Sequence, residues 1–149
     1  MPWRDVPYRQ WTLSFPHRVR WVLLKDAGLL TDVLTVFLRA VFALQRRRAQ
    51  RQGLRDVQGG AVSFIQFFGS ALQVTPHFHS LVPDGVFLPR EGGVRFELLP
   101  PPTQGEVERL LRTLRLQLYP STRTPSRLYA RSLLHHGGRR RRDRRERCA

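Results

Sequence analysis

Between Leu29 and Leu44 the chain is almost wholly apolar, and Leu30, Val33, Leu34, Phe37, Val41 and Leu44 recur at three- and four-residue spacing. That period belongs to a helix with one face to bury. The stretch is shorter than the roughly 20 residues that cross a bilayer, and Asp32 and Arg39 interrupt it. The spacing therefore predicts a core helix, with no membrane role. The helix continues into the basic segment QRRRAQRQG and should stop at Gly53, where glycine accepts the backbone of a helix end.

The partner surface reads as strands. In Arg9–Phe15 (RQWTLSF), Trp11, Leu13 and Phe15 share one face while Gln10, Thr12 and Ser14 share the other. Gly59-Gly60 punctuates the chain. Ala61–Phe68 (AVSFIQFF) is rich in β-branched and aromatic residues and reads as a strand buried on both sides. His77–Val82 is the next strand, and Pro83-Asp84-Gly85 reads as a tight turn closed by a positive φ at Gly85. Val86–Pro89 and Val94–Leu98 are two short strands around Glu91-Gly92-Gly93. Thr103 is the expected N-cap of a helix reaching about Leu118, with Glu106 as its capping-box partner. Strand, helix, antiparallel meander and helix make an α+β fold, with helices on one face of an antiparallel sheet. Residues 1–118 form the expected core, and the Arg-, Ser- and Pro-rich residues 119–149 read as a disordered basic tail.

Charge narrows the partner. The 149 residues hold 26 Lys+Arg against 11 Asp+Glu, a formal charge of +15. A balance of this size points to a polyanion, nucleic acid first and an anionic membrane surface second. Residues 139–149 supply only a third of it, so the core is basic in its own right. The lone cysteine, Cys148, excludes an internal disulfide and a cysteine-based zinc site. No secretory signal opens the sequence, so the cytoplasm is the expected compartment.

The chemistry concentrates in PHFHSLVPDGVF, from Pro76 to Phe87. Residues two apart on a strand point the same way, so His77 and His79 project side by side and Phe78 turns to the other face. Two imidazoles so placed suit one metal ion. In most chains the same pattern is only a partly exposed polar pair on an open sheet face. If AVSFIQFF pairs with HFHSLV, Gln66 projects beside the histidines, as a third ligand, a hydrogen-bond donor to a ligand, or a surface amide. Asp84 is another candidate ligand, or only a turn former.

Longer segments carry a family likeness. GGAVSFIQFFGSALQVTPHFHSLVPDGVF, with VPYRQWTLSFPHRVRWVLL and VFLRAVFALQRRRAQRQG, resembles the rolling-circle insertion-sequence transposases of the HUH class. The similarity runs from about Asp5 to Arg115. It implies an HUH endonuclease-like fold and a single-strand DNA nuclease that nicks and rejoins transposon ends in DNA transposition, in a bacterial cytoplasm at the nucleoid. On this resemblance His77, His79 and a third ligand hold Mg²⁺ or Mn²⁺, which polarises the scissile phosphate. A tyrosine attacks and forms a 5′-phosphotyrosine link. Further transposase chains are possible partners. Arg46, Arg47, Arg48 and Arg51 would grip the phosphate backbone, and Trp11, Phe64 and Phe68 are candidates to stack bases, against an alternative as core residues.

The sequence departs from that family at both ends. The cysteine-rich region that precedes this segment in full-length members is missing, and from about Leu116 the likeness stops. Among the tyrosines, Tyr8 precedes the first strand, Tyr119 is followed by Pro120, and Tyr129 alone has a helix-compatible setting, SRLYARSLL. The expectation is a truncated or frameshifted transposase fragment, with Tyr129 as the candidate nucleophile. The alternatives are a non-catalytic DNA-binding remnant and a metal-dependent hydrolase that uses water.

Overall fold

Alternation along the first strand is realised in the computed structural model, which describes residues 6–68 and 74–118. β1 (Tyr8–Ser14) turns Trp11 and Leu13 inward and leaves Tyr8, Gln10, Thr12 and Ser14 exposed. Two helices follow, α1 (His17–Lys25) and α2 (Ala27–Arg51), the second of them the predicted core helix. The break is Asp26, held extended at φ −131° and ψ 95°. Its carboxylate accepts the Leu29 N–H at 2.9 Å and so caps α2. At the far end Gly53 takes φ 76°, as its position after the helix predicts.

β2 (Val62–Phe68), β3 (Val74–Pro83), β4 (Gly85–Arg90), β5 (Gly93–Leu98) and α3 (Gln104–Leu118) complete the described chain. The expected single meander divides into two sheets, one ordered β1-β3-β2 and one a β4-β5 hairpin, all antiparallel. A bridge from Gln58 to Phe87 and two hydrogen bonds from the Gln45 amide, to the carbonyls of Pro83 and Gly85, tie the hairpin to the rest. Gly85 does not adopt a positive φ. Space demands it instead: a Cβ there would sit 2.2 Å from the backbone oxygen of Glu97.

Two clusters lie beneath the three-stranded sheet. Phe37, Val41, Leu44, Val82, Leu110 and Leu114 form one. Phe15, Leu23, Leu30, Val33 and Phe78 form the other, with Phe15 and Phe78 edge to face at 5.6 Å. All three helices contribute, so they share one face of the sheet. Helix α2 could cross a membrane by length and composition alone, but its apolar stripe is spent on this core.

β2 corrects an expectation. It is an edge strand, not one buried on both sides: Val62 is 63%, Phe64 50% and Phe68 54% exposed. The clusters beneath the sheet take residues from β1 and β3 and none from β2. The helices do not extend under it, and its apolar composition alone could not reveal that. The predicted capping box holds, with Thr103 N–H donating to Glu106 Oε2 at 3.0 Å and Glu106 N–H to Thr103 Oγ1 at 3.3 Å. The expected tail at 119–149, with Tyr119 and Tyr129, lies outside the described residues.

Candidate metal and DNA site on the open sheet face

β3 is the central strand, and its burial alternates residue by residue. Pro76, Phe78, Ser80 and Val82 are buried, while His77, His79 and Leu81 lie on the opposite face, half-buried. The predicted pair therefore forms, with imidazole centroids 4.7 Å apart and rings near perpendicular. Register then sets the neighbours, because directly paired strand residues share a face. Thr12 and Phe64 flank His79; Ser14 and Gln66 flank His77.

Hydrogen bonds orient both rings. His77 Nδ1–H donates to the Thr75 carbonyl at 2.6 Å, which leaves Nε2 as the nitrogen with a free lone pair. The Gln10 amide nitrogen donates to His79 Nδ1 at 2.7 Å. Turning that amide over lets its oxygen accept an Nδ1 proton, as Thr12 Oγ1 at 3.3 Å also can. In that tautomer His79 also presents Nε2 to a ligand. Sequence reasoning placed Gln10 and Thr12 on this polar face but assigned them no role, since only the β1–β3 register shows which residues meet the rings.

Two nitrogen donors are short of a full coordination shell. Among the described residues no group of three or more His, Cys, Asp or Glu side chains forms. Gln66 stands beside His77, with its amide nitrogen donating to the Phe68 carbonyl at 3.0 Å across a strand irregularity. Its amide oxygen, like the hydroxyls of Thr12 and Ser14, is an oxygen on the histidine face. Asp84 is not such a donor. It lies five residues past His79, about 16 Å along a strand, and is paired with Arg9 at 3.0 Å.

The arginines divide. Arg46 and Arg47 are exposed on α2. Arg48 and Arg51 meet the buried Glu106 carboxylate at 3.4 and 2.7 Å, and Arg48 also donates to the Pro100 carbonyl. The Thr103 N–H and both arginines hold the Glu106 carboxyl below its ordinary range against the opposing effect of burial. Of the aromatics, Trp11 packs on the core. Phe64 stands on the open face, its ring 6.4 Å from that of His79. Tyr8 is the first residue of β1, not a residue ahead of it, and shares the histidine face. It is four residues from Thr12, about 13 Å along the strand.

A family model described as "Putative transposase" matches residues 60–116. The match supports a transposase. It runs from just before β2 to near the end of α3, and so includes both histidines. No curated protein and no solved structure matches the chain.

Proposed function

We propose that this chain acts in DNA transposition by binding single-stranded DNA on the open sheet face and presenting a divalent metal site to the scissile phosphate. The supporting observation is the pair of imidazoles 4.7 Å apart on the central strand, on the face opposite the one where the described helices pack. His77 and His79 would hold Mg²⁺ or Mn²⁺ through nitrogen, and Gln66 through its amide oxygen. Neutral ligands leave the ion's charge uncancelled beside a phosphate. A bound ion would supply Lewis-acid polarisation of a phosphoryl oxygen. Phe64 is placed to stack a base near that phosphate. Arg46 and Arg47 would add sequence-independent attraction.

Rejoining requires a covalent protein–DNA intermediate, and Tyr129 is the candidate nucleophile. Incubation with a 3′-labelled oligonucleotide and Mn²⁺ should give a labelled, denaturant-resistant adduct that Tyr129→Phe abolishes, while the upstream fragment leaves with a free 3′-OH. An adduct that survives this change refutes the assignment. A second reading, a DNA-binding remnant without chemistry, is favoured by the family match ending at residue 116, before Tyr119 and Tyr129, while Tyr8 lies well along the strand from the histidines. It predicts salt-dependent DNA binding, no adduct, and affinity almost unchanged by His77→Ala.

A further inference from the structure

Beyond the histidines the open face ends in a cleft. Val6, Tyr8, Val62, Leu81 and Pro83 line one side, Phe87, Val94 and Phe96 the hairpin side, and the peptides of Gln58 to Ala61 the rim. Its volume is about 610 Å³, within the usual range of small-molecule sites. Phe87 and Phe96 pack against each other at 5.3 Å, so that wall is aromatic. Opposite them Tyr8 is 65% exposed. Among the described residues no acidic or basic side chain lines the cleft.

Its place matters as much as its lining. Leu81 is two residues from His79, Val62 two from Phe64, and Tyr8 two from Gln10, all on one face. Histidines and cleft are therefore consecutive stations on a single surface: from His79 the cleft begins about 7 Å along β3 at Leu81 and reaches Tyr8 and Pro83 at about 13 Å, a span of one to two nucleotides. An uncharged aromatic slot next to a phosphate-facing site, in a chain of charge +15, fits a flat neutral ring carried on a polyanion. A second copy of the chain fits less well, because it would bring the same positive charge.

We propose that the cleft takes one unstacked base of single-stranded DNA, with Tyr8 as its stacking platform and a phosphate about two nucleotides away at His77 and His79. This rests on the DNA-binding reading above. Gly59, exposed, and Gly60, half-buried, bring backbone donors and acceptors to the cleft, which is the means for a base preference.

The test is fluorescence anisotropy of the full chain with labelled oligothymidylate in which one abasic position is scanned along the strand, at fixed salt. One position should weaken binding about tenfold. Tyr8→Ala should weaken the intact strand by a similar factor and flatten the scan; Tyr8→Phe should restore it. Salt-dependent binding with a flat wild-type scan and no effect of Tyr8→Ala would overturn the cleft proposal and leave the DNA reading standing. No binding to any oligonucleotide at low salt would sink both. A self-associated chain in sedimentation that Tyr8→Ala dissociates would make the cleft an interface between copies, and the proposal would fall.

Discussion

The two faces of β3 are built from one ten-residue strand and have opposite properties. On one, Phe78 is fully buried against Phe15, Leu23, Leu30 and Val33. On the other, His77 and His79 are half-buried, with their Nδ1 atoms held by Thr75, Gln10 and Thr12. The covered face fixes where the backbone lies, and the pleat carries that placement to the imidazoles. The imidazoles are thus positioned by packing on the far face, which is the arrangement the proposed metal site would require.

Substitutions that separate the faces test this contrast. Phe78→Ala should have the largest effect, a loss of about 3–5 kcal/mol in urea unfolding. A loss under about 1 kcal/mol would mean the covered face does not hold the strand. His77→Ala and His79→Ala should each lower Mn²⁺ affinity at least about a hundredfold by calorimetry and change stability by no more than about 1 kcal/mol. If unfolding shifts as far as with Phe78→Ala, the two faces are not separable. Gln10→Ala should weaken Mn²⁺ by about tenfold through the ring it orients; unchanged affinity would remove Gln10 from that role.

Away from the strand, Thr103→Ala should cost about 1 kcal/mol and leave metal affinity intact. Glu106 belongs to the same cap, and its folded pKa is depressed. Its contribution is therefore present above the unfolded value and disappears as pH falls through the folded one. Helical circular dichroism should accordingly decline below about pH 4, and Glu106→Gln should remove that part of the acid dependence. The smallest effects belong to Arg46→Gln and Arg47→Gln. Each should lower the salt slope of DNA binding by about 1 if it meets a phosphate, and an unchanged slope would place the DNA elsewhere.

Periodicity revealed most of this architecture. The α2 stripe, the two faces of β1, the histidine pair and the Thr103–Glu106 box depend on local spacing, and all are present. What escaped the sequence depends on sheet order. An apolar run such as VSFIQFF reads alike at the centre or the edge of a sheet, so the exposure of β2 was not legible. Gln10 and Thr12 gained their role only through register with β3. Arg48 and Arg51 look like further members of a basic cluster until Glu106, more than fifty residues away, draws them in. The Asp26 break was legible in principle, since aspartate before a helical run is a capping signal.

The edge position of β2 also bears on how the isolated protein behaves in solution. Among the described residues its outer side meets no strand, and VSFIQFF carries no charge and no proline. Such a strand is a template for pairing with its own copy. The charge of +15 opposes that encounter at low ionic strength, and added salt screens it. Salt would thus act twice, loosening DNA and bringing the edges of different molecules together, so light scattering that rises with sodium chloride in DNA-free samples would report β2 rather than unfolding.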